Sequence, residues 1–240
     1  MKLGRFVEIS VAVPDLAQSL LFYERLGMEK LDQSWEPWPW AVLTDGIVTY
    51  QFSQNTPGPL VLNYIVSDMR QRVEALERAG VPVRRLERAD VPELVAGMHT
   101  PSGVEISLLE YPARRIPRPS GVSTCKCGTF MELALPVPDL AAAEKFWSRL
   151  GFERRSGSAL PYPWATFSDD LITLGLYQTR DFTRPALLYG SSNPPERIQL
   201  LEAEGFRFSA EIPSPRSVGR TVLETPDPLL ILLEYREGIG

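Results

Sequence analysis

The chain is poor in the residues that most enzyme centres use. It has one histidine and two cysteines in 240 residues, so a Ser-His-Asp or Cys-His nucleophilic centre is hard to assemble. The cysteines, Cys125 and Cys127, stand as C-K-C. That is half a zinc site, but no histidine or further cysteine is near to complete four ligands, and the pair reads as two thiols beside a linker. No basic stripe exists: 25 basic residues are interleaved with 30 acidic ones, for a net charge of −5, which leaves no electrostatic reason to expect nucleic acid. No apolar run reaches 18 residues, so no membrane span is expected. The start MKLGRFVEIS lacks a signal peptide's apolar region, and without a disulfide framework a cytoplasmic location is the default. The nucleotide-binding and nucleophile motifs G-x-x-x-x-G-K-[ST], G-x-G-x-x-G and G-x-S-x-G are also missing.

What the chain does have is a repeat. VAVPDLAQSLLFYERLG returns as ALPVPDLAAAEKFWSRLG. An offset of 124 carries Asp15 onto Asp139, Tyr23 onto Trp147, Gly27 onto Gly151, Trp38-Pro39-Trp40 onto Tyr162-Pro163-Trp164, and Glu110-Tyr111 onto Glu234-Tyr235. A period this long is no solenoid repeat; it is a globular unit of ordinary domain size, duplicated and fused. Within each copy the pattern repeats again. FVEISVAV reads as a strand, PDLAQSLLFYERLG as a helix with Asp15 as N-cap and Gly27 as stop, and three shorter strand patterns follow. The order restarts at PLVLNYIV, and Pro194-Pro195 set the start of the last helix. The fold class is therefore α+β: four βαβββ modules forming two mixed β-sheet domains with the helices packed on one face. The first domain is expected over 1–112 and the second over 127–237. The linker over 113–126 draws on the Pro-, Arg- and Ser-rich stretch 111–124.

A strand ending in V-P-D-L, a helix closing on F-Y-x-x-L-G or F-W-x-x-L-G, and TPSGVEISLLEY as a closing strand resemble the glyoxalase/bleomycin-resistance/dioxygenase group, the vicinal oxygen chelate superfamily. The resemblance implies two βαβββ modules per cup around a cavity. In many members it also implies a divalent metal held by His, Gln or Glu on the first and last strands of the modules. Carried over, those positions are Glu8, Tyr50, Val61 and Ser107 in the first cup. In the second they are Glu132, Leu174, Ala186 and Leu232. Neither set supplies the three converging donors a catalytic metal needs. The lone His99 reads as a surface or turn residue, so no metal and no cofactor are expected.

Two shared features remain as candidate ligand contacts. Glu8 and Glu132 occupy the same place on the first strands, on a face with small and polar neighbours. Each is open to being a general base, a recognition carboxylate for a cationic ligand, or a relic held by structural hydrogen bonds. The proline-stiffened aromatics Trp35, Trp38 and Tyr162 suit a cavity mouth, with Tyr50, Phe52 and Ser107 continuing the lining. Trp40 and Trp164 read instead as equivalent plugs of the two cores. The function expected is a metal-free protein binding a small organic molecule for sequestration, resistance or carriage, compatible with a homodimer. The alternative is a metal-dependent lyase, isomerase or dioxygenase using Glu8 or Glu132 as ligand or base.

Overall fold

The computed structural model describes residues 2–54, 58–86, 94–110, 119–217 and 219–238. Each copy is built from two modules. The first copy runs β1 (Arg5–Ala12), α1 (Leu16–Arg25), β2 (Glu29–Ser34), β3 (Trp40–Thr44), β4 (Thr49–Ser53), then β5 (Leu60–Val66), α2 (Met69–Arg78), β6 (Arg84–Leu86), β7 (Leu94–His99), β8 (Glu105–Glu110). The second runs β9 (Thr129–Pro136), α3 (Leu140–Arg149), β10 (Glu153–Ser158), β11 (Trp164–Ser168), β12 (Thr173–Tyr177), then β13 (Ala186–Ser191), α4 (Pro194–Ala203), β14 (Phe208–Ile212), β15 (Arg220–Leu223), β16 (Leu230–Tyr235). The βαβββ order therefore occurs four times, as read from the sequence. Residues 113–118 of the 113–126 segment lie outside the described residues; its end is tied to the first copy, Thr124 N–H donating to Asp45 O and Lys126 N–H to Leu26 O, both at 2.8 Å.

Local chemistry places the helices. Asp15, Asp68, Asp139 and Asn193 each accept a hydrogen bond from a backbone N–H of the first turn, satisfying a donor the helix cannot satisfy itself. Gly27 and Gly151 take φ of +95° and +90° just past α1 and α3, a conformation only glycine adopts cheaply.

Each copy forms one eight-stranded sheet, in the orders β2-β3-β4-β1-β5-β8-β7-β6 and β10-β11-β12-β9-β13-β16-β15-β14. The helix side of both sheets is one continuous apolar cluster, with Ile9, Val11, Tyr23, Phe52, Ile106, Leu133, Trp147 and Ile231 among its members. Strand β1 carries a bulge between Phe6 and Glu8, and β9 an equivalent one between Phe130 and Glu132. Val7 and Met131 are the extra residues, so Phe6 rather than Val7 packs on the helix-side cluster, and the carboxylate after each bulge turns to the concave face.

The repeat needs one correction. Helices α1 and α3 begin 124 residues apart, but α2 and α4 begin 125 apart. The second module of the second copy is shifted by one residue. On β16 the partner of Glu234 is therefore Leu109, and Tyr235 matches Glu110. A one-residue shift moves a strand residue to the opposite face: Glu110 accepts a hydrogen bond from Met69 N–H at the α2 N-terminus, whereas Glu234 points into the second cup.

The copies are locked by a pair of hydrogen bonds related by pseudo-twofold symmetry. Tyr189 O–H of the second copy donates to Asp45 Oδ2 at 2.7 Å, and Tyr64 O–H of the first donates to Asp169 Oδ2 at 3.1 Å. Both aspartates are held in place because their Oδ1 atoms accept two backbone N–H bonds each.

Candidate functional site

Strand pairing defines what faces each cup. In the first copy Glu8 stands opposite Asn63 and Asn63 opposite Ser107, while Ser10 lies between Gln51 and Val61 and Val61 is opposite Glu105. Trp40 pairs with Ser53 and Val95 with Leu109. This concave face is polar: Glu8, Ser10, Ser53, Asn63 and Glu105 are all buried. Asn63 Nδ2 donates to Ser10 Oγ at 2.7 Å, and Arg84 Nη2 to Glu105 Oε1 at 3.4 Å. Val42 and Val61, the buried apolar residues of this face, join neither apolar cluster of the described residues.

The second cup is filled. Ala134, Ala186, Leu188, Val222, Leu230 and Leu232 form a second apolar cluster with Trp164, Tyr177, Phe182 and Ile212. Where the first cup has Ser10, Asn63 and Ser107, this one has Ala134, Leu188 and Leu232, so hydrocarbon replaces hydrogen-bonding groups. Beside that cluster lies a buried ionic network. Arg216, on the loop between β14 and β15, forks onto Glu132 through Nη1–Oε2 at 3.0 Å and Nη2–Oε1 at 2.7 Å. Tyr177 O–H also donates to Glu132, and Arg220 donates through Nε to Glu234 and through Nη2 to Tyr177. The Arg216 guanidinium lies 5.0 Å from the centre of the Trp164 ring, and that of Arg220 4.6 Å from Tyr177. Gly175 makes room: a Cβ there would meet Glu132 Oε1 at 2.1 Å. Burial alone would push the Glu132 carboxyl up, but the Arg216 charge and hydrogen bonds, with Arg220 and Tyr177, bring it below the usual carboxylate range.

Of the sequence-predicted contacts, Glu8 and Ser107 share the concave face of the first cup. Tyr50 and Phe52 do not, and this corrects their reading as lining. Side chains alternate along β4, so Gln51 and Ser53 face the cup while Tyr50 and Phe52 enter the helix-side core. There the Phe52 ring stacks on Tyr23 at 4.4 Å and Tyr50 O–H donates to Asp45 at 2.8 Å. Trp35 and Trp38 lie in the connection between β2 and β3, 50% and 37% exposed. Glu132 is engaged by Arg216 and Tyr177, and Tyr162 packs edge-on against Tyr177 while donating to Pro213 O at 3.0 Å. His99 is exposed at the end of β7, opposite Glu105. Cys125 and Cys127 are both buried in the shared core.

Sequence reasoning missed Gln51, Asn63, Tyr177, Arg216, Arg220 and Glu234. The period-two rule applied to β4 would have put Gln51 and Ser53 on the cup face, and the 124-residue offset then carries Ser53 onto Tyr177. The two arginines carry no motif.

Metal donors fit neither cup. The first offers Glu8 beside Gln51, Val61, Asn63 and Ser107, and its second carboxylate, Glu105, is taken by Arg84. In the second, both carboxylates are neutralised by guanidinium groups. Among the described residues no three His, Cys, Asp or Glu side chains stand together as a metal site. No helix among them is long and apolar enough to cross a membrane.

No family model matches the sequence, and no curated protein matches it. Solved structures do. Catechol 2,3-dioxygenase superposes with a TM-score of 0.68 at 14% identity, covering 98% of this chain and 89% of that one. The 2,3-dioxygenase LapB from Pseudomonas sp. KL28 gives 0.65 at 14% identity, over 98% and 93%. The Mn(II)-bound glyoxalase from Novosphingobium aromaticivorans gives 0.65 at 14% identity, over 99% and 84%. The likeness establishes the fold. This chain has the tandem vicinal oxygen chelate fold of extradiol dioxygenases and glyoxalases.

Proposed function

We propose that the protein binds a small organic molecule in its first cup and that the second cup, packed with its own side chains, does not take that ligand. The observation that carries this reading is the contrast between two concave faces of the same fold. One is lined by hydrogen-bonding groups from β1, β4, β5 and β8 that join no apolar cluster. The other is packed with leucine, alanine and aromatic side chains around a self-satisfied ionic network. Polar groups converging on a concave surface beside exposed indoles suit recognition of a planar ligand with hydroxyl or amine substituents. Binding in a sequestering or carrying role accords with the donor set, since the cup's side chains do not supply a three-carboxylate or histidine centre. Catechol is the natural first probe, because proteins of this fold include catechol dioxygenases by name.

Titration of intrinsic tryptophan fluorescence with catechol, phenol and benzylamine tests the reading. Saturable quenching that Asn63→Leu weakens at least tenfold, with Leu232→Ser leaving it unchanged, is expected. Absence of any saturable response across the panel, or loss only in second-cup variants, would refute it.

A further inference from the structure

The second cup shows which cation its carboxylates were shaped to hold. Four network members, Glu132, Tyr177, Arg220 and Glu234, sit on strands β9, β12, β15 and β16, held by the sheet ladder. Arg216 comes from a loop, 213–217, and its side chain keeps 14% of its surface in contact with solvent, while Arg236, just past β16, reaches, among the described residues, only Glu234, at 3.2 Å. The loop is tethered by side-chain contacts: Tyr162 O–H to Pro213 O at 3.0 Å, and Ser214 Oγ to Glu234 Oε2 at 2.9 Å. Receptor and occupant thus have different mechanical origins. The receptor is rigid and strand-borne, whereas the occupant arrives on a segment that can withdraw without breaking a strand pair.

The receptor's chemistry is specific. Glu132 presents both oxygens to the fork of a guanidinium, the geometry that distinguishes arginine-type cations from ammonium. The Trp164 face covers the same group at 5.0 Å, a π surface that favours a weakly hydrated planar cation. Arg220 neutralises Glu234 from within the sheet, so withdrawal of Arg216 leaves one buried carboxylate, Glu132, uncompensated. Trp164 Nε1 and Arg220 Nη1 are buried without hydrogen-bond partners among the described residues, so polar capacity in this pocket is still unused.

From this arrangement we infer that the second cup is a guanidinium-binding site occupied in cis by Arg216, and that a small alkylguanidinium compound takes the same place when the 213–217 loop opens. The first cup cannot form an equivalent: the positions matching Tyr177, Arg220 and Glu234 are Ser53, Val95 and Leu109. The site is distinct from the proposed binding cup and does not depend on it.

The test uses methylguanidinium at low millimolar concentration with the full chain. Arg216→Ala should bind it saturably, at least tenfold more tightly than wild type, with a rise in Tm and a change in Trp164 fluorescence. Methylammonium should bind more weakly, and Glu132→Gln in the Arg216→Ala background should abolish the response. No saturable binding to Arg216→Ala, or equal binding to the Glu132→Gln double variant, overturns the inference. Should Arg216→Ala not fold, hydrogen exchange of the wild-type amides of Ser214, Arg216 and Ser217 decides. Saturable acceleration by methylguanidinium supports the site, and unchanged exchange overturns it.

Discussion

Replacing Arg216 by methionine keeps the stem and removes the charge, which isolates the worth of the Glu132 pair. Glu132 is 1% exposed and, among the described residues, would retain Tyr177 O–H as its direct partner. Breaking a buried ion pair by deleting one partner costs about 3–5 kcal/mol because the other charge stays buried. The surviving Tyr177 bond and the nearby Arg220 place this case at the lower end, about 3 kcal/mol, or roughly 6–12 °C in Tm for a chain of this size. The pH dependence follows from the sign of the shift. In the native protein Glu132 is held below its ordinary value, so its stabilisation is fully present above the unfolded pKa, about 4.3, and fades as pH falls through the lower folded value. Without Arg216, burial dominates and pushes the carboxyl up, so the deficit is full at pH 7 and shrinks toward pH 5 as Glu132 takes a proton. Urea denaturation at both pH values measures this, and adding Glu132→Gln should restore most of the loss at pH 7. A deficit below 1 kcal/mol, or one that is the same at pH 5 and pH 7, would refute the reasoning.

Three further outcomes are expected. Tyr189→Phe and Tyr64→Phe each remove a hydrogen bond to a buried aspartate across the two copies and should each cost about 1.5–3 kcal/mol. Their effects should add in urea melts, since the two bonds share no partner. Burial raises the Asp227 carboxyl against the hydrogen bond from Ser19, so its stabilising effect declines as pH rises from its ordinary value, about 4, through the raised folded value. Asp227→Asn should therefore be more stable than wild type at pH 7, with the advantage gone at pH 3.5 by thermal melts. Burial also pushes the Cys127 thiol up, and both cysteines should resist a thiol reagent such as dithionitrobenzoate at pH 8 until the chain unfolds.

The fold was legible in the sequence because its signals are local and repeated. A capping Asp or Asn before each helix, a glycine after it, and apolar alternation in the first strands recur four times, each agreeing with the others. The site was legible only where it sits on those strands. Glu8 and Glu132 follow from alternation along β1 and β9, although bulges at Val7 and Met131 shift the residues before them. Tyr50 and Phe52 went astray because aromatic character was read as lining, while the period of the strand sends them to the core. Glu110 and Glu234 looked equivalent by a constant offset, but one extra residue in the second copy sends them to opposite faces. Arg216 was invisible because a loop's reach into a cup depends on tertiary placement that no periodicity records. The difference between the cups lies in pairs such as Asn63 and Leu188, or Ser107 and Leu232, which matter only once strand register is known.

The most direct test of the central claim labels the chain with 5-fluorotryptophan. Its five tryptophans report on separate places: Trp35 and Trp38 in the connection leading into β3, Trp40 opposite Ser53 in the first cup, Trp147 in the shared core, and Trp164 in the second cup. On titration with neutral catechol, the fluorine signals of Trp38 and Trp40 should move saturably while those of Trp147 and Trp164 stay fixed. Movement of Trp164 with Trp38 and Trp40 unmoved would contradict the assignment of binding to the first cup.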